Sequence, residues 1–304
     1  MKRLIGIFLS LLLLAAGAAF AESDTPIYTA VAAKECTIRR EPGGEYRLLA
    51  LDKWMEVRVY ELGDEWSLVS CGEAKGWVLT RCLGCYRSLD PFAYPVPGAR
   101  IMDGILTLHQ DVTVSGGKMK DITAPSGAVL CVTEAENGAY EMPVWRGQGR
   151  LQMDSGAFTA FIPWDEAEPG DLIGGFTTYY DGTLGRPLTK ERAFNIDLCS
   201  QRINGSVTAP GETFSFNALA GRYYRDGGYQ LAVNVSKSGR GYGGGVCQVT
   251  TTLCNALLGV PLRIDKWTVH QMSGVDYIPQ FFDAAVGNHQ DFTFVNTLPY
   301  PVRL

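Results

Sequence analysis

The 304-residue chain is 46% hydrophobic and 19% charged, a globular balance with enough length for two or three packed cores. A net charge of −5 without any basic run excludes wrapping of nucleic acid by counterion release. No long low-complexity tract interrupts it, which excludes an extended or repetitive polypeptide.

The chain opens as an address rather than a fold. Lys2 and Arg3, the apolar run LIGIFLSLLLLAAGAA and the small-residue AFA ending at Ala21 have the layout of a cleaved secretory signal peptide, residues 1–21. No cysteine follows the apolar run, so a lipid anchor is not expected. Loss of Lys2 and Arg3 takes the basic count from 27 to 25 against 32 acidic groups, a net charge of −7. No later segment is long and apolar enough to span a bilayer. The expectation is an exported soluble protein, secreted or held at the cell envelope by what it binds.

Residues 28–86 read as an all-β unit. Short runs such as MEVRVYEL and WSLVSC alternate with Gly, Pro and Asp turns. CTIRREPGGEY followed by GDEWSLVSCGEAKGWVLTRCL resembles the first strand, RT-like loop and Trp-strand-Gly-Trp-Val ending of the bacterial SH3-like family. That resemblance implies a small barrel that binds cell-wall peptide. Trp66 and Trp77 are its aromatic landmarks, and Trp77 is expected in the core.

DPFAYPVPG, from Asp90 to Gly98, is a Pro-rich joint. Beyond it, residues 100–165 form a second β-rich segment, a degenerate barrel or a spacer. ILTLHQDVTV, GAVLCVTEAENGAYEMPVW and GAFTAFIPW supply its strands, and His109 is expected as an ordinary strand side chain.

From residue 171 to 304 the character changes to α+β. TKERAFNIDLCSQRI carries Phe194, Ile196, Leu198 and Ile203 and predicts a helix that stops at Asn204-Gly205. CQVTTTLCNALLG places Val249, Leu253, Ala256 and Leu257 at helical spacing, with Gly259 as the stop. PLRIDKWTVH, VDYIP, DAAV and DFTFVNTLPYPVRL read as strands and turns, so one helix packs into a mostly antiparallel sheet.

Eight cysteines lie beyond the leader, four of them (Cys36, Cys71, Cys82 and Cys85) in the first β unit. In an exported chain they favour structural bridges, over a four-cysteine zinc site built on CLGC or free thiols. Spacing does not fix the pairing.

Five glycines in the seven residues Gly239 to Gly245 precede Cys247. A phosphate loop needs a lysine and a hydroxyl directly after its glycines, but Val246, Cys247 and Gln248 follow, while Lys237 and Arg240 come before. Cys254 is two helical turns past Cys247, beyond the reach of a bridge within one helix. A thiol at a helix start feels unpaired N–H groups and the positive end of the dipole, which favours a nucleophile. It needs a base and an orienting group: His270 and then Asp283 follow in that order, with Asp276 as a competitor to Asp283 and His289 in an exposed turn. The amides of Gly244 to Cys247, Gly245 among them, or the Gln248 side chain would donate to an oxyanion. The competing reading makes Cys247 a small buried side chain and Gly243 to Gly245 part of a recognition groove. No cofactor and no metal are expected.

The order Cys, His, Asp, and the run GVCQVTTTLCNALLGVPLR, resemble transglutaminase-like and papain-type peptidases. That likeness implies a helix bearing the cysteine packed on strands bearing His270 and Asp283.

A denser set of motifs runs from Arg192 to Leu304: FNIDLCSQRINGSVTAPGETFSFNALAG, GGYQLAV, GGGVCQVTTTLCNALL, a histidine followed by VDYIP, then DAAV and DFTFVNTLPYPVRL. In this order they resemble the VanW-type domain of exported bacterial proteins. Gln271 stands where that family often has a serine. The resemblance implies envelope biology near peptidoglycan and a link to glycopeptide resistance. Together these readings predict a thiol enzyme acting on peptidoglycan peptides by hydrolysis or acyl transfer, or else a non-catalytic envelope-binding protein.

Overall fold

The computed structural model describes residues 25–90, 95–116, 122–144, 147–152, 156–179, 188–234, 239–270 and 275–304. The expected signal peptide, residues 1–21, and Gln271 lie outside the described residues, as does part of the Pro-rich joint.

Alternation in the first unit becomes seven strands: β1 Tyr28–Ala32, β2 Cys36–Arg39, β3 Arg47–Leu51, β4 Glu56–Glu61, β5 Trp66–Cys71, β6 Ala74–Leu79 and β7 Leu83–Ser88. They form one antiparallel sheet in the order β3-β2-β6-β5-β4-β1-β7. Alternate residues of β1 and β4 are buried, so Ala30, Ala32, Val57 and Val59 enter a core with Ile38, Leu51 and Val78. Trp77 is not in that core. In β6 the inward positions are Gly76 and Val78, and the two-residue period turns Trp77 to a half-buried position between them. Gly76 is required there, because a Cβ would lie 2.3 Å from the Arg39 carbonyl oxygen.

The second unit is also seven-stranded: β8 Gly104–Leu108, β9 Val112–Gly116, β10 Ile122–Ala124, β11 Val129–Ala135, β12 Ala139–Val144, β13 Gly147–Gln152 and β14 Gly156–Ala160. The order is β10-β9-β13-β12-β11-β8-β14, around a core of Leu106, Leu108, Val132, Met142 and Leu151. His109 sits one residue beyond β8 in an exposed bend rather than in a strand. Its carbonyl accepts a hydrogen bond from the Ser126 hydroxyl, which closes the turn.

The last unit carries the two helices expected, α1 Thr189–Ile203 and α3 Val246–Leu257, and a short third between them, α2 Phe216–Ala220. The five-residue α2 is too short for a periodic signal. It is started by Ser215, whose hydroxyl caps the Ala218 amide. The strands here are short: β15 Val207–Thr208, β16 Thr213–Ser215, β17 Leu231–Val233, β18 Arg240–Tyr242, β19 Arg263–Lys266, β20 Thr293–Val295 and β21 Val302–Arg303. Three of them make a sheet in the order β16-β20-β19, and β15-β21 and β17-β18 form two-stranded pairs. Residues 267–270, 275–279 and 283–286 are not strands. Side chains take the place of a ladder: the Asp283 carboxylate receives the His270 amide, and the Thr251 hydroxyl receives the Ala284 amide.

The three units share buried contacts. Phe281 lies edge-on to Trp54 with ring centroids 5.3 Å apart and packs over Gly84, whereas Phe282 reaches Gly98. Met102, Cys131 and Phe176 form a cluster with Tyr277 and Ile278. Among the described residues no helix is long and apolar enough to cross a membrane.

All eight cysteines are thiols, so the expected bridges are not formed in this structure.

Candidate active site

Helix α3 carries a polar ridge beside its apolar face. Val249, Leu253 and Leu257 are buried in the core, as the spacing predicts. Cys247, Thr251 and Asn255 recur every fourth residue and so lie on one face. The Thr251 hydroxyl donates to the Cys247 carbonyl at 2.7 Å and accepts from the Ala284 amide at 2.9 Å. The Asn255 amide group donates to the Phe282 carbonyl at 2.7 Å and to the Thr251 carbonyl at 2.8 Å. The ridge thereby fastens residues 282–284 along the helix.

On its other side that segment is held by residues 267–270. The Trp267 indole donates to the Asp283 carbonyl at 2.8 Å, and the Ala285 amide donates to the Thr268 carbonyl at 2.7 Å. His270 closes the arrangement: ring Nδ1 lies 2.6 Å from Asp283 Oδ2, which also accepts the His270 amide at 2.8 Å. The same imidazole lies close enough to the Cys247 thiol for the two to act on one another's charge. The thiol is further located by Val286, donating to its carbonyl at 3.4 Å and receiving its amide at 3.5 Å.

The sequence candidates Cys247, His270 and Asp283 therefore meet at one place. Asp283, not Asp276, faces the imidazole, and His289 is exposed as expected. His270 and Asp283 stand on irregular segments rather than on strands, because their backbone groups are satisfied by the side chains just named.

Burial acts to lower the proton affinity of His270. The hydrogen bond to Asp283 and the charges of Cys247 and Asp283 overcome it, and the pKa is raised to about 9. At neutral pH the ring is an imidazolium, paired with a carboxylate that is 2% exposed. A cation beside a thiol is the setting in which thiolates form. Tyr277 lies beside Thr251, and burial pushes its phenol up, so it remains a donor.

The expected oxyanion donors divide. The Gln248 side chain is buried and engaged: its carbonyl accepts from Arg192 at 2.7 Å and its amide donates to Thr178 at 3.2 Å. The Gly244 amide donates to the Gly241 carbonyl at 3.4 Å, and the Val246 amide to that of Gly243 at 3.1 Å. Among the described residues, the amides of Gly245 and Cys247 find no backbone acceptor. Those two, at the start of α3, are the donors available to a developing negative charge.

The glycines do not open a groove. A Cβ on Gly243 would lie 3.0 Å from Tyr223, on Gly244 2.5 Å from the Val233 carbonyl oxygen, and on Gly245 2.9 Å from Ile196. They let α3 start against the chain's own α1 and β17, and Asn195 ties that contact by donating to the Gly244 carbonyl at 3.1 Å. The sequence motifs do not single out Thr251, Asn255 or Trp267. The signal that marks the first two is polar residues at every fourth position from the cysteine.

Residues 191–304 match the family described as VanW like protein. The chain is 37% identical over 135 residues to YoaR of Bacillus subtilis, covering 43% of each protein. It is 31% identical over 120 residues to the vancomycin B-type resistance protein VanW of Enterococcus faecalis, covering 34% of this chain and 44% of that one. The chain thus spans less than half the length of either relative. NlpC2 from Trichomonas vaginalis is matched over 60% of this chain and 57% of that one, at 8% identity and a TM-score of 0.17. That score carries no shared fold, so the transglutaminase- or papain-like arrangement gains no support from it. Residues 191–304, the part of the chain that matches the VanW-like family, bring their separated motifs together into one site.

Proposed function

We propose that the VanW-like domain is a cysteine-dependent acyl-transfer enzyme of the cell envelope, acting on amide bonds of peptidoglycan peptides. The observation that carries this reading is the chain of contacts from the Cys247 thiol through the His270 ring to Asp283 Oδ2. Cys247 attacks the carbonyl as thiolate, His270 gives its proton to the departing amine, and Asp283 holds the ring in place. The Gly245 and Cys247 amides stabilise the oxyanion. Water or a second amine then releases the acyl group, giving hydrolysis or transpeptidation.

The peptidoglycan assignment is supported by the likeness to a vancomycin B-type resistance protein over the domain that holds the site. Strand order and turn motifs in the first β unit support a role for it as an SH3-like wall-binding module. The leader-like start of the sequence supports export. A recognition groove lined by Gly243 to Gly245 is disfavoured, since each glycine backs onto the protein itself.

The test is incubation of the protein and its Cys247→Ala variant with peptidoglycan fragments, followed by mass spectrometry. New cleaved or joined peptides from the parent alone are expected. Equal products from both, or none from the parent together with no acyl adduct on Cys247, would overturn the reading.

A further inference from the structure

Two thiols of the first β unit, distant in sequence, stand together in the fold. Cys36 opens β2, and Cys82 ends the 3-10 turn Thr80–Cys82 that follows β6. The β1–β7 ladder brings these ends into register: Ala32 faces Leu83, and the Ala33 amide donates to the Cys82 carbonyl at 2.7 Å. The two thiols are close enough for Cys82 to act on the ionisation of Cys36. Cys82 is buried and Cys36 half-buried, so one member of the pair is open to a small oxidant.

The remaining cysteines of this unit are placed otherwise. Cys71 is at the end of β5, opposite Ala74 across the hairpin. Cys85 is buried on β7, near Arg87.

We propose that Cys36 and Cys82 are a disulfide site, the bridge forming by exchange with a small-molecule or protein disulfide in an oxidising compartment. Cys36 attacks the incoming disulfide and expels one thiol, leaving a mixed disulfide. Cys82 then attacks the Cys36 sulfur and expels the second thiol. Cys36 and Cys82 each lose a proton, one S–S bond forms between them, and the incoming disulfide takes up two electrons and two protons to leave as two thiols.

Burial, with the neighbouring Cys82, pushes the Cys36 thiol up to about 11. Thiols of high pKa are poor leaving groups, so the bridge once made resists reduction; this marks a structural bond rather than a catalytic redox pair. It closes a loop containing β2 to β6, and restrains the unfolded chain over all five strands. CLGC, with its redox or zinc spacing, is then divided: its first cysteine pairs backward across the sheet, and its second stays buried on β7.

The experiment uses the full chain equilibrated with glutathione disulfide, then alkylated and digested without reduction. A peptide linking Cys36 to Cys82 is expected, lost in both Cys36→Ser and Cys82→Ser. Reduction should lower the melting temperature of the oxidised parent by about 5–10 °C and leave either variant unmoved. Recovery of Cys36 and Cys82 both alkylated, or linkage of Cys36 to Cys71 or Cys85, would overturn the proposal. The mapping is done on the parent protein, so it stands even where a variant fails to fold.

Discussion

Asp283 holds His270 at two points with a single oxygen: Oδ2 accepts the backbone amide at 2.8 Å and meets ring Nδ1 at 2.6 Å. Fixing main chain and ring together removes the freedom of the imidazole to turn away from Cys247. It also explains how a histidine in an irregular segment is held in place.

The first prediction concerns pH. The folded pKa of His270, about 9, lies above its ordinary value of 6.5. Its contribution to stability is therefore complete below pH 6.5 and is lost as pH rises through 9. The expected loss is on the order of 2–3 kcal/mol over that window. Urea unfolding at pH 6 and pH 10 reads it, and His270→Gln should flatten the difference.

Asp283→Asn keeps the shape and removes the charge. NMR titration of the His270 ring should then give a lower midpoint than in the parent, because burial would act with less opposition. Turnover on peptidoglycan fragments should fall by about 10²–10⁴-fold, as when an orienting carboxylate is neutralised. An unchanged midpoint would show that Asp283 does not hold the imidazolium.

How much of this is legible in the sequence depends on which force places each residue. Strands bounded by turn residues, such as Trp66–Cys71, can be read closely, because apolar side chains must reach a core. Helix α3 is legible for the same reason at its own period, whereas α1 turns Phe194 to solvent and buries Asn195, Cys199 and Ile203 instead. Trp77 misleads because its size suggests a core position, whereas register gives the inward places to Gly76 and Val78. Residues 267–270 and 283–286 look like strands because they are rich in apolar and β-branched residues. Their partners are Thr251, Asn255 and Trp267 side chains, which no strand pattern announces. Cys247, His270 and Asp283 can be ordered in sequence, but only tertiary contact decides between Asp283 and Asp276.

Thr251 positions rather than reacts, touching Cys247 through its carbonyl. Thr251→Val leaves the Ala284 amide without its acceptor and should cost about 1–3 kcal/mol. Turnover should fall through kcat with KM little changed, and Thr251→Ser should restore it. Loss of stability with full kcat would confine the residue to a structural role.

Gly245 has φ 110°, and a methyl group added there would lie 2.9 Å from the Ile196 side chain. Gly245→Ala combines that left-handed backbone with a clash and is expected to destabilise by about 1–3 kcal/mol. Chemical denaturation measures it. Gly239→Ala, with open space around the added carbon, should cost less.

Phe281 and Phe282 immediately precede Asp283; the first reaches Trp54 in the first β unit, and the second reaches Gly98 in the joint that leads to the second. Asp283 is thus anchored in a wedge whose walls lie outside its own unit. Thermodynamically the units are linked: whatever binds only the docked arrangement also favours the placed carboxylate, and by reciprocity a ligand on the thiol favours docking. Heating should consequently melt the chain as one cooperative body, although its sequence divides into three.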